Sequence, residues 1–185
     1  KVDLAILNEE EVCAIAGDDL VHSAAAKISS GEALYGGIAA GPGPRGVIVK
    51  RGRSGSVAFL DCGIITLPAY PTDALVDPTG AGDSFAGALL SNIAGRKGAL
   101  NQRDTMRDAL LHATVTASFS VEGLGVSGVS NLERGRYHAR VDKYRRMVGL
   151  FSFGYGLLHL IAYVWLDHFF VWSDLIFSNE LLLFF

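Results

Sequence analysis

Cysteine is nearly absent from this chain, with only Cys13 and Cys62 in 185 residues. The pair shows neither metal-ligand spacing nor a disulfide framework, so both read as reduced thiols of a cytosolic domain. A charge excess of either sign is also missing. A net charge of −3 gives no general affinity for polyanions and argues against a nucleic-acid partner. The chain starts at Lys1, directly before an apolar run, without an initiating Met or a signal-peptide pattern. It therefore reads as a chain that begins inside a domain. Asp, Glu, Lys and Arg disappear altogether from residues 147–166. Apolar residues are abundant instead: they make up 50% of the chain and raise the mean hydropathy to +0.31, high for a soluble domain. Most of that excess lies after residue 146. The length suits one ordinary domain, or a smaller one with an appendage.

The densest chemical signal is Val76–Asp77–Pro78–Thr79–Gly80–Ala81–Gly82–Asp83–Ser84–Phe85, with a strand-like run before it and a small-residue helical run after it. Gly80 and Gly82 let backbone approach a ligand closely. Amides of residues 80–83 at a helix start favour an anion, through unpaired N–H groups and the helix dipole. A carboxylate there, Asp83, suits the role of a base that takes a proton from a hydroxyl attacking a phosphate.

The rest of the first 132 residues reads as alternating strands and helices. Strands are expected at 2–7, 47–49 and 56–60, and helices at 9–16, 19–30, 84–94 and 105–118. Gly31 to Gly46 is expected to be irregular, and Pro68 and Pro71 mark an extended or edge passage. On periodicity alone, Asn8 and Glu11 are a helix N-cap and a first-turn acid. Likewise, Lys50–Arg51–Gly52–Arg53–Ser54–Gly55 is a basic turn. His22 and His112 read as structural.

The ten-residue string closely resembles the second signature of the ribokinase/PfkB family of carbohydrate and nucleoside kinases. The resemblance covers about residues 1–132 and corresponds to the C-terminal half of such a kinase. It implies a Rossmann-like α/β layer and ATP-dependent phosphorylation of a hydroxymethyl group on a sugar or nucleoside. Asp83 would be the catalytic base, and Gly80, Ala81 and Gly82 the anion hole. Asn8 and Glu11 match an Asn-x-x-Glu motif that organises Mg²⁺ through water, which suits hard oxygen donors. Lys50, Gly52 and Gly55 match a turn that borders the nucleotide. Asp77 and Thr79 match positions that contribute to a monovalent-cation (K⁺) site in some members; Pro78 stands where Thr is also common. Residues 117–123 resemble a passage that closes the nucleotide site. The family's specificity residues lie in its N-terminal half, so the substrate stays unnamed and the activity is expected to be impaired.

From Glu133 the composition changes. A basic linker, 133–146, precedes the uncharged stretch. At about 1.5 Å per residue, 20 residues would span a bilayer core of roughly 30 Å. The expectation is thus a C-terminal transmembrane helix within 147–185, anchored in the inner membrane. The basic side and the kinase part would be cytoplasmic, and Tyr144, Trp165 and Trp172 would sit near the interfaces. Residues 140–178 resemble the heme-binding membrane subunit of the periplasmic methionine-sulfoxide reductase system, a ferric-reductase-like family. His159 falls on one of that family's heme-ligand positions, while His168 is not expected to ligate. Two resemblances in one chain suggest a fusion of two gene fragments. The alternative function is therefore a heme-binding electron-transfer membrane segment with an inactive kinase remnant.

Overall fold

The computed structural model describes residues 2–35, 38–39, 43–72, 74–125, 127–130, 132, 134–163 and 165. Two compact units are formed, residues 1–141 and 142–185.

In the first unit, β1 (Leu4–Asn8) leads into α1 (Glu9–Ala16) and α2 (Val21–Ser30). A short hairpin follows, β2 (Leu34–Tyr35) with β3 (Ile38–Ala39), inside the stretch expected to be irregular. The chain then enters β4 (Gly46–Lys50), β5 (Ser56–Leu60) and β6 (Gly63–Leu67). These strands with β1 make a four-stranded sheet in the order β1-β4-β5-β6. Only β1 and β4 are parallel; β4, β5 and β6 form an antiparallel meander. The α1–α2 crossover accounts for the parallel pair, because parallel strands need a long connection that packs on the sheet. β6 takes the edge and stops before Pro68, whose missing N–H would break a ladder.

Residues 46–49 of β4 are buried, as its β-branched run requires of a strand covered on both faces. Side chains alternate along a strand, so Val47 and Val49 share one face. They cluster there with Val12 of α1 and Ala24, Ala25 and Ile28 of α2. Further on, α3 (Ala81–Ile93) packs with α4 (Arg103–Ser120). Phe85 and Leu89 of α3 and Met106, Leu110 and Val115 of α4 are buried. Each side chain of this size contributes roughly 1.5–3 kcal/mol on full burial. A short helix, α5 (Ser127–Ser130), precedes α6 (Arg134–Tyr163).

The first unit runs beyond residue 132 to Val141 and so includes the start of α6. Most of the expected basic linker is therefore helix: Glu133 lies outside the described residues, and 134–146 open α6.

The expected transmembrane helix is not found. Among the described residues, no helix is long and apolar enough to cross a membrane. The helical, uncharged part of α6 runs only from Met147 to Tyr163, 17 residues. At about 1.5 Å per residue this reaches roughly 26 Å, short of a bilayer core of about 30 Å. Gly149, Ser152, Gly154, Gly156 and His159 also dilute its apolar character. The α/β part of the expected fold stands, and the membrane anchor is withdrawn. The inner-membrane location and the cytoplasmic orientation read from it go with the anchor. Residues 166–185, with His168 and Trp172, lie outside the described residues.

Candidate active site

The parallel register pairs Asn8 with Lys50, so the last residues of β1 and β4 lie side by side at the carboxyl ends of the strands. In open α/β sheets this is the edge at which ligands bind. A cavity of about 900 Å³ opens there, and both residues line it.

Asn8 caps α1. Its Oδ1 accepts from the Glu11 amide at 2.7 Å, and Glu11 Oε2 accepts from the Asn8 amide at 2.7 Å. This reciprocal capping box is the local reading of the Asn-x-x-Glu spacing. It orients Asn8 at the cavity rim and engages one of the two Glu11 oxygens, Oε2.

Lys50 is followed by a single turn of 3₁₀ helix, Gly52–Ser54, and by Gly55 at φ +92°. A Cβ on Gly55 would lie 2.0 Å from the Leu67 carbonyl oxygen and 2.6 Å from the Pro68 carbonyl carbon. Only glycine fits this turn against the end of β6. Gly52, Arg53 and Gly55 all line the cavity.

No strand runs directly into the signature, contrary to expectation. Residues 68–72 and 74–78 are irregular, and the passage is pinned by its own bonds. The amides of Val76 and Asp77 donate to the Val121 carbonyl at 2.8 and 3.2 Å. Asp77 Oδ1 accepts from the Thr79 amide at 2.9 Å. Bonds from Thr79, and a further one from the Gly125 amide, hold the Asp77 carboxyl below its ordinary range despite partial desolvation. Gly80, at φ 79°, then turns the chain into α3, which starts at Ala81. The Ala81 amide is used in this turn, donating to the Pro78 carbonyl at 3.2 Å. Among the described residues no backbone acceptor meets the amides of Gly82 and Asp83, as the first turn of a helix dictates. Of the expected anion hole, Ala81 and Gly82 line the cavity and Gly80 does not. Asp83 is exposed in the first turn of α3; it is not among the cavity-lining residues, and no described residue bonds its carboxylate.

Lys50 reaches this helix start. Its Nζ stands 2.8 Å from where a Cβ on Gly82 would sit. The structure thus joins β4 and the signature, which are distant in sequence, into one cationic corner made of the ammonium and the free amides of α3. Arg53 adds a second cation at the rim. The remaining wall is mainly apolar and includes Pro71, Leu75, Phe85, Ala117 and Val121. Tyr70, Thr72, Thr114 and Ser118 complete it.

Two of these residues carry no signal in the sequence: Tyr70 and Thr72 both lie in the irregular passage before the signature. Glu122 supports the wall and is itself held from outside the matched stretch. Burial would raise its carboxyl pKa, but hydrogen bonds from Arg140 and Thr72 outweigh burial and lower it.

No group of three or more His, Cys, Asp or Glu that could hold a metal occurs among the described residues. In the second unit, His159 is exposed on α6 with its ring stacked on Tyr155 at 6.3 Å.

Residues 1–132 match the family model described as pfkB family carbohydrate kinase. Among solved structures, ribokinase from Thermotoga maritima is 28% identical, with a TM-score of 0.56 over 76% of this chain and 42% of that one. Arabidopsis thaliana ribokinase complexed with ribose and ATP is 24% identical, with a TM-score of 0.57 over 75% and 40% of the two chains. Fructokinase from Vibrio cholerae, in a fructose-, ADP- and calcium-bound form, is 19% identical with a TM-score of 0.60 over 75% and 41%. The last two likenesses speak for the fold alone. The chain spans about two fifths of the length of these kinases. A stretch of 36 residues is 56% identical to the protein-methionine-sulfoxide reductase heme-binding subunit MsrQ of Caulobacter vibrioides. That stretch covers 20% of this chain and 17% of the subunit, too little to assign membership.

Proposed function

The chain belongs to the pfkB family of carbohydrate kinases, and from that premise we propose that it serves phosphoryl transfer from ATP to a hydroxyl of a sugar or nucleoside. The observation that carries this reading is the two-ended cavity. One end offers Lys50 and the free amides of α3, and the rest is a largely apolar wall. A triphosphate joined to a flat base has the same division of character. Solved kinases of this fold are bound to ATP, one of them also to Mg²⁺.

ATP supplies the phosphoryl group. Lys50 and the amides of Gly82 and Asp83 bind its negative charge, and the missing Cβ of Gly82 keeps space open beside the ammonium. Gly52 and Gly55 shape the turn along the nucleotide. The Asp83 carboxylate, exposed and without a bonding partner among the described residues, receives the proton of the acceptor hydroxyl. Asn8 and Glu11 would hold Mg²⁺ through water, Glu11 with the Oε1 that the capping box leaves open. Asp77, kept anionic by Thr79, would face a monovalent cation such as K⁺. His159 is exposed and stacked on Tyr155, and no observation among the described residues favours the heme reading.

The test is a coupled assay with ATP and Mg²⁺ over a panel of sugars and nucleosides. Turnover that Asp83→Asn reduces by about 10²–10⁴-fold supports the role of the base. Turnover unchanged in Asp83→Asn would overturn it.

A further inference from the structure

The side of the cavity wall formed by Tyr70, Thr72 and Ser118 is held from behind by a residue that lies outside the family-matched stretch. Arg140, near the start of α6, donates from Nη1 to Ser118 Oγ at 3.0 Å and from Nη2 to Glu122 Oε2 at 2.7 Å. Glu122 Oε1 in turn accepts from Thr72 Oγ1 at 2.6 Å. The guanidinium carbon lies 3.9 Å from the centre of the Phe119 ring and 5.1 Å from that of Tyr70. Tyr70, Thr72 and Ser118 all line the cavity. One planar guanidinium therefore ties three wall residues to one another: Ser118 by a direct hydrogen bond, Thr72 through Glu122, and Tyr70 by lying over its ring face. The side chains of Arg140 and Glu122 are only 19% and 17% exposed, so both charges depend on each other for solvation.

We propose that Arg140 is a positioning residue for the base of a nucleotide bound in this cavity, acting through Tyr70, Thr72 and Ser118 rather than by touching the ligand. This inference rests on the proposed function and deepens it. The chemistry requires arginine: lysine can pair with Glu122, but it lacks the flat fork that bonds Ser118 and Glu122 together while lying over two rings. Without the fork, Thr72 and Tyr70 lose their common anchor and the wall that a base would stack on loosens. The cationic corner at Lys50 and Gly82 is built from other residues and keeps its shape.

That separation supplies the test, made on the full chain by calorimetric titration with Mg–ATP and, separately, with inorganic tripolyphosphate, which has no base. Arg140→Ala is expected to bind ATP about tenfold more weakly, the scale of a lost stacking wall, while tripolyphosphate binding stays within twofold. Arg140→Lys, the variant to use if the alanine form does not fold, should fall between the two for ATP alone. Arg134→Ala, which removes an exposed charge from the same helix, should match the wild type. Equal ATP affinity in Arg140→Ala and wild type would overturn the inference. So would a parallel loss for both ligands, the mark of a purely structural role. A wild-type chain that binds neither ligand would instead overturn the functional reading beneath it.

Discussion

The ammonium of Lys50 occupies the space beside Gly82 that a side chain would fill, with Nζ 2.8 Å from the position of the absent Cβ. The two residues come from β4 and from the second residue of α3, 32 positions apart in the chain (82 − 50). Their approach turns a basic strand end and a helix start into one anion site. Gly82→Ala should separate binding from stability. The atom it displaces is the far end of a flexible side chain, and Ala is favoured over Gly in a helix by about 1 kcal/mol. The thermal midpoint is expected to hold or rise slightly while ATP affinity falls by about tenfold. A scanning-calorimetry and titration pair checks this, and unchanged ATP affinity would count against the site.

Gly55 makes the opposite case. Its φ is +92°, and a Cβ added there would come within 2.0 Å of the Leu67 carbonyl oxygen, so a side chain has no room and the obstacle is backbone. Gly55→Ala should cost about 3 kcal/mol or more, within the range of strained-backbone and overpacking substitutions. Urea unfolding reads this directly; a loss below about 1 kcal/mol would show that the turn can rearrange.

Glu11 serves two readings that one substitution divides. Gln keeps the capping box with Asn8 but removes the charge. Glu11→Gln should therefore unfold within about 0.5 kcal/mol of the wild type. The tightening of ATP binding by Mg²⁺ should shrink several-fold. Preserved Mg²⁺ dependence would confine Glu11 to capping.

Acid should weaken the first unit through carboxylates whose pKa values are lowered in the fold. Asp18 is lowered chiefly by its bond to Lys27, with Ser23 and the Leu20 amide adding to it. Asp77 is lowered by Thr79, and Glu122 by Arg140 and Thr72 against the opposing effect of burial. A lowered folded-state pKa stabilises above the ordinary carboxylate value of about 4 and is lost as pH falls through the folded value. The urea midpoint is thus expected to be level from pH 7 to about 5 and then to drop, with a shallower drop in Glu122→Gln. A level midpoint down to pH 3 would contradict these ion pairs and hydrogen bonds.

Residues in one contiguous stretch were legible from sequence because their spacing encodes local geometry. The Asn8–Glu11 box, the turn at Gly55 and the start of α3 near Gly80 are of this kind. The sheet was legible only in part: the strands at 47–49 and 56–60 were expected, but their antiparallel meander is set by pairing, which a single strand's pattern does not carry. Arg140 was hidden, since a basic run reads as a solvated linker until Glu122 and Phe119 are placed beside it. The uncharged stretch misled in the other direction. Its lack of charge suggested a spanning helix, yet Gly149, Gly154, Gly156 and His159 lie within it, and the described helix ends at Tyr163.

The central claim is that the cavity between β4 and α3 is a nucleotide site with Lys50 at its phosphate end. The most direct measurement is calorimetric titration of the full chain with Mg–ATP, wild type against Lys50→Ala. The account predicts saturable binding that Lys50→Ala weakens by about tenfold or more, the effect of removing one charge-assisted contact to phosphate. Absence of saturable binding in the wild type, or equal affinity in the two proteins, would contradict it.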